Sequence, residues 1–331
     1  MTSTIYLETG STDPRYNLAF EEYVLRNYTQ GDILILWQNA NAVIVGRNQN
    51  AEAEINKAFV AEHDILVVRR NTGGGTVYHD MGNLNYSFIT DVDGLERDTL
   101  HRFLEPVVKA LQGLGLEAEA SGRNDILVSG KKVSGTAQQL LNGRILHHGT
   151  LLFDANTSVL AGALNPDPTK FQSKGIGSVR SRVGNIRDHL GGNMDMAVFW
   201  QYLKGALLSD ETVQMQLTRE DLQAIETLKA EKYDTWEWNF GRSPKYQFAN
   251  KKRWAGGLLE VHLSVEAGKI SGLRIFGDFL SLRPVSELEE RLTGCNYQEE
   301  AVLDALKGVP LHSYLGSITP EEFVATIMNQ T

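Results

Sequence analysis

KVSGTAQQLLNGRILHHGTLLF, residues 132–153, carries Asn142-Gly143 between two strand-like runs. Asn-Gly suits a type I′ turn, which needs positive φ at both corners and joins antiparallel strands tightly. The stretch predicts a long hairpin, with Ala137 opposite His148 and Val133 opposite Leu152. Side chains alternate with a period of two, so a slip of one residue would exchange the faces. Gly149 falls in mid-strand, where glycine weakens a strand unless something approaches it closely.

Working outward, ILILW (33–37), AVIVG (42–46), ILVVRR (65–70) and LNYSFI (84–89) also read as strands. Asp13 and Pro14 open a helix as N-cap and first residue, with Glu21 and Glu22 following. EINKAFVAEH (54–63) reads as another helix. Leu100, Phe103, Leu104, Val107, Val108 and Leu111 form a helical stripe suited to a core. Beyond about residue 190 the pattern is helical, over roughly 193–209 and 218–231. A connector, DTWEWNFGRSPKYQF, follows, and from about 250 there are two strand-like and three helical runs. Strict βαβ alternation is missing. The expected class is α+β: mixed, largely antiparallel sheets flanked by helices, with a large unit over 1–245 and a small α+β unit over 250–331.

The chain has 331 residues and a formal net charge of −9, which argues against a general nucleic-acid binder. Its one cysteine, Cys295, excludes an intrachain disulfide and a four-cysteine zinc site. The N-terminus lacks the basic and apolar regions of a signal peptide, and no apolar run approaches the ~18 residues of a membrane span. A cytoplasmic monomer is expected.

Four stretches could carry chemistry. RRNTGGGTVYHDMGN (69–83) follows a strand. Its glycines suit either a tight turn or backbone N–H groups converging on an anion, and it matches neither phosphate-loop nor dinucleotide-fold spacing. In SGRNDILVSGKKVSGTA (121–137), Lys131 and Lys132 are adjacent, so alternation sends them to opposite faces and one at most enters a site. HHGT (147–150) places His148 in a strand, as a core histidine or a site residue. PTKFQSKGIGSVRSRVGNIR (168–187) has five bases and no acid, which fits a basic surface loop or a lid over an anion.

In this order the stretches resemble the two-domain lipoate–protein ligases. The matching residues are RRNTGGGTVYHD with Gly82-Asn83, SGRNDILV, KVSG with Ala137, HHGTLL, and KGI with SVRSRV and Asn185; WEWNFG (236–241) fits the approach to the family's accessory domain. The resemblance implies the biotin/lipoate ligase catalytic fold and a two-step reaction. Lipoate and ATP, with magnesium on the phosphates, give lipoyl-adenylate and pyrophosphate. The lipoyl group then passes to a lysine of a lipoyl domain or of glycine-cleavage H protein.

The resemblance further implies that Lys132 is the catalytic lysine and that Arg70 and Gly73, Gly74 and Gly75 wall the lipoate and adenylate site. Gly75, Thr76, Val77 and Tyr78 would hold the nucleotide. His79, Asn83, Asp125, Lys174 and Ser178 fall on nucleotide-side positions, with Asp125 a candidate magnesium ligand. His148 and Thr150 fall on the lipoate side. Acyltransferases of this fold use a cysteine thioester, and Cys295 is remote in sequence from every motif. Biotin ligases carry a GRGRxG-type signature that is missing here. A non-catalytic lipoate-binding homologue is the remaining alternative.

Overall fold

The structure, a computed structural model, describes residues 4–92, 99–122, 124–164, 183–209, 211–240, 248–266 and 268–328. In chain order the strands are β1 (Thr4–Glu8), β2 (Asp32–Trp37), β3 (Ala42–Val45), β4 (Leu66–Arg69), β5 (Val77–His79), β6 (Asn83–Asp91), β7 (Ala118–Ser121), β8 (Asp125–Val128), β9 (Lys131–Leu141), β10 (Arg144–Leu152), β11 (Val213–Gln214), β12 (Phe248–Trp254), β13 (Gly257–Glu266) and β14 (Lys269–Gly277). The large sheet has eight strands in the order β11-β1-β2-β6-β10-β9-β8-β7, and two three-stranded sheets run β4-β3-β5 and β12-β13-β14. Pairing is antiparallel except at β1–β2, β1–β11 and β3–β4.

The hairpin forms as the Asn-Gly turn requires, with φ of +50° at Asn142 and +75° at Gly143. Ala137 pairs with His148, and the ladder runs to Thr136–Gly149, stopping short of Val133 and Leu152. The Tyr86 ring is what approaches Gly149: a Cβ there would lie 2.4 Å from Tyr86 Cζ. Beyond the ladder, β9 carries one extra residue against β8. Ile126 pairs with Ser134, yet Leu127 pairs with Lys132, so Val133 is bulged.

One face of the large sheet, with Leu84, Tyr86, Ile126 and Val133, packs on helices Thr99–Gly113 and Met196–Leu207. The predicted stripe supplies Leu104, Val107 and Leu111, fully buried; burying each such side chain is worth roughly 1.5–3 kcal/mol. The other face meets helix Pro14–Asn27, which Asp13 caps through Arg15 N. Ile44 and Val68 of the β4-β3-β5 sheet join that second core.

Two expectations need correction. Residues 54–63 are not one helix: Ala51–Glu54 and Lys57–Glu62 are separated at Ile55, because the Asn56 side chain caps the second helix by accepting from Phe59 N. Among the described residues the C-terminal part has three strands and four short helices, Ser286–Leu292, Glu299–Leu306, His312–Leu315 and Pro320–Ile327. Strand β12, FANKKRW, was missed because it shows no apolar alternation. These elements share their own core, including Leu259, Val261, Ile275, Leu288 and Phe323. Among the described residues no helix is long and apolar enough to cross a membrane.

Candidate active site

A pocket lies between the polar face of the large sheet and the β4-β3-β5 sheet. Alternation along β6 sends Asn83, Asn85 and Ser87 to one face, and the register sets Thr150 against Asn85 and His148 against Ser87. Asn85, His148 and Thr150 line the cavity, with Leu18, Trp37, Ile44, Val77 and Ala137 adding apolar surface. Arg70, Gly74, Gly75 and Thr76 close one side, and Lys132, Gly135 and Asn124 another.

The glycine run curls around Arg70. The guanidinium donates to Thr72 Oγ1 (2.9 Å), Ile44 O (3.1 Å), Gly73 O (2.6 Å) and Gly75 O (2.8 Å). Gly74 takes φ +87°, which glycine adopts without steric cost. Burial lowers Arg70 to about 10, so it stays charged at neutral pH. Gly73 turns away from the cavity: a Cβ there would sit 2.8 Å from Ser281 N and 2.9 Å from Phe279 O. The Gly74 N–H donates to Phe279 O (3.0 Å), and Asn48 Nδ2 donates to Ser281 Oγ (2.9 Å). The C-terminal segment 277–282 thus docks on the glycine loop.

Residues flanking Arg70 are held from behind. Arg69 donates to five backbone carbonyls, those of Gly46, Arg47, Gln49, Trp238 and Asn239. Glu22 accepts from Asn71 Nδ2 (2.7 Å), Tyr233 Oη (2.6 Å) and Lys232 Nζ (2.7 Å), and from Arg26. The expected connector is therefore packed as far as Asn239, and its residues 241–247 lie outside the described ones.

Lys132 reaches the cavity because of the bulge. Val133 points into the core behind the sheet, which shifts the alternation and puts Lys132 on the same face as Gly135 and Ala137. Its Nζ pairs with Asp125 Oδ1 at 2.6 Å. The stem lies along Gly135, whose missing Cβ would stand 3.0 Å from Nζ. Lys131 is exposed.

His148 bridges Glu21 and Thr72, with Nδ1 2.9 Å from Glu21 Oε1 and Nε2 2.8 Å from Thr72 Oγ1. Burial drives His79 from the usual 6.5 to about 3, with Arg70 and His148 adding to it. Burial, with His148, does the same to His147. The unfolded chain therefore takes up protons on these groups from pH 6.5 downward, while the folded chain holds off until about 3. More protons bound unfolded means stability that is present above 6.5 and lost as pH falls through this window. Glu22 acts lower down: burial would raise it, but Lys232, Tyr233 and Asn71 hold it at about 2, so its contribution is lost between about 4.5 and 2. The urea midpoint should fall between pH 7 and pH 5; a level midpoint would contradict this account.

Residues 13–208 match the model of the lipoyl protein ligase A/B catalytic domain, and residues 243–327 that of the bacterial lipoate protein ligase C-terminus. The chain belongs to the lipoate–protein ligase family. Lipoate-protein ligase LplJ of Bacillus subtilis is 44% identical over 320 residues, 95% of this chain and 97% of the relative. Lipoate–protein ligase 1 of Staphylococcus aureus is 42% identical over 315 residues, 95% and 96% of the two chains. The P. falciparum LipL1 structure, in complex with lipoate, shares the fold with a TM-score of 0.79 at 24% identity, over 99% of each chain. Lipoate-protein ligase A bound with ATP gives 0.61 at 29% identity, covering 72% of this chain and 98% of that one. A bipartite lipoate protein ligase of Thermoplasma acidophilum, solved in a study of its lipoylation system with the E2 lipoyl domain, gives 0.62 at 28%, covering 75% and 99%.

In this ligase the cavity brings together Arg70, Gly74, Gly75, Thr76, Val77, His79, Lys132, His148 and Thr150. Asp125 joins through Lys132. Asn83 stands one step back, donating through Nδ2 to Asn85 Oδ1. Two expected residues face elsewhere: Gly73 meets the C-terminal segment, and Tyr78 packs in a separate core with its hydroxyl on Asn41. Alternation explains Tyr78, since its neighbours Val77 and His79 take the cavity side. Lys174 and Ser178, with most of the basic stretch 168–187, lie outside the described residues. Reading the sequence missed Leu18, Trp37, Ile44 and Asn85. The polar Asn83, Asn85, Ser87 alternation in an otherwise apolar strand was the available signal.

Proposed function

We infer that this ligase joins lipoate to protein through an adenylate. A lipoate carboxylate oxygen attacks the α-phosphorus of ATP, the bond to the bridging oxygen breaks, and pyrophosphate leaves. The ε-amine of an acceptor lysine then attacks the acyl carbon, expels AMP and loses a proton as the amide forms. Acceptors are lipoyl domains and glycine-cleavage H protein, and the setting is the cytoplasm. Residues 1–245 carry both steps, and 250–331 assist.

The observation that carries this reading is Lys132, the cation that the bulge turns onto the cavity face. It stands where two anions must meet, and neutralising them is the main catalytic task. Arg70 orders the loop of Gly74–Val77 for the nucleotide. The apolar walls, with His148 and Thr150, suit an alkyl chain. Magnesium fits only as a passenger on the phosphates. Among the described residues the cavity lining has no carboxylate and no three His, Cys, Asp or Glu gather as a metal site, and Asp125 is paired with Lys132. When bound, it would offset charge on the departing pyrophosphate.

Lipoate-dependent exchange of labelled pyrophosphate into ATP tests the reading. Cys295 lies against the C-terminal core, so Cys295→Ala should retain near-complete exchange and transfer. An inactive but folded Cys295→Ala enzyme, or acyl transfer without ATP, would favour a thioester route instead.

A further inference from the structure

We propose that His79 determines substrate specificity, its Nε2–H donating to a ring sulfur of lipoate so that the site selects a dithiolane over a sulfur-free tail. The inference deepens the lipoate reading above and rests on it.

The proton's place follows from a chain of contacts. Asn17 Nδ2 faces two backbone carbonyls, Ser11 O at 3.0 Å and Gln38 O at 2.7 Å, so that atom is the amide nitrogen. Its third contact, Asn39 Oδ1 at 2.9 Å, must then be an acceptor. The Asn39 nitrogen is left facing His79 Nδ1 at 2.9 Å, and Nδ1 accepts. A neutral ring with an accepting Nδ1 carries its hydrogen on Nε2.

That Nε2–H has no partner among the described residues, and His79 is only 3% exposed. The residue lines the cavity beside Trp37, the two rings meeting edge to face at 6.5 Å. A second lining residue, Asn85, likewise has a buried Nδ2 without a partner among the described residues. Two such donors beside the Trp37 ring call for a ligand that brings a weak, bulky acceptor there. The sulfurs of a cyclic disulfide meet that requirement, and a plain hydrocarbon leaves both donors unsatisfied. Sites with committed donors reject analogues that lack the acceptor.

The test titrates the full chain calorimetrically with lipoate and with cyclopentyl-pentanoate, which keeps the ring size and chain length but has no sulfur. The wild-type protein should bind lipoate about 3- to 10-fold more tightly, the range expected of one modest hydrogen bond. His79→Phe should shrink that ratio to below about two-fold, and His79→Gln, which keeps an N–H donor, should recover part of it. Equal binding of the two acids by the wild type, or an unchanged ratio in His79→Phe, would overturn the proposal. If His79→Phe fails to fold, the wild-type ratio and His79→Gln still decide. Absence of pyrophosphate exchange with either acid would sink the ligase mechanism itself, whereas exchange with both at equal affinity sinks only the role of His79.

Discussion

Lys132→Ala is expected to lower lipoate-dependent pyrophosphate exchange by about 10²–10³-fold, the usual cost of removing one preorganised electrostatic contact. The carboxylate and the α-phosphate would lose their shared counter-charge, and Asp125 would lose its ion pair with Lys132. Lys132→Arg should not restore full rate, because a planar guanidinium cannot replace a compact ammonium laid along Gly135. Lys131→Ala should stay near wild type, since that side chain is exposed. A dead Lys131→Ala beside an active Lys132→Ala would mean that the wrong lysine had been assigned to the chemistry.

The second large effect is on stability. Arg69 is 1% exposed, and it gathers carbonyls from the turn at 46–49 and from residues 238–239. Arg69→Met should cost about 3–5 kcal/mol, because several buried carbonyls lose their donor together. Against a typical total of about 5–15 kcal/mol this is a large fraction. Lysine should rescue little, having three donors on one atom rather than a fork. Guanidinium unfolding of the variant measures the loss, and a change below about 1 kcal/mol would remove Arg69 from the framework of the site.

Elements whose signal is local were legible in the sequence. Asn142-Gly143 fixed the hairpin and its register, Asp13-Pro14 the start of the first helix, and the Leu104–Leu111 stripe a core helix. The family's motifs led to most cavity residues. What was not legible depends on partners distant in the chain. Counting by twos back from Ala137 puts Lys131, not Lys132, on the cavity face; only the bulge at Val133 reverses this, and its cause lies in the pairing with β8. Glu21 and Glu22 looked like ordinary helix carboxylates, yet both are buried, one on His148 and Ser87, the other on Lys232 and Tyr233. Asn239 gave no hint that it would accept from Arg69 N across 170 residues.

The bond from Gly74 N to Phe279 O joins main chain to main chain. Substituting Phe279 leaves its carbonyl in place, and only proline at 74 would delete the donor. On the C-terminal side, this tie between the glycine loop and the segment 277–282 is therefore independent of which side chain position 279 carries. The sensitive positions are the two glycines, Gly74 at its φ of +87° and its neighbour. A single methyl at Gly73 would press within 3 Å of the Ser281 nitrogen and the Phe279 oxygen. The demands on the joint are thus lopsided: on the C-terminal side the bond asks only for a carbonyl, whereas on the loop side Gly73 must make room and Gly74 must hold φ +87°.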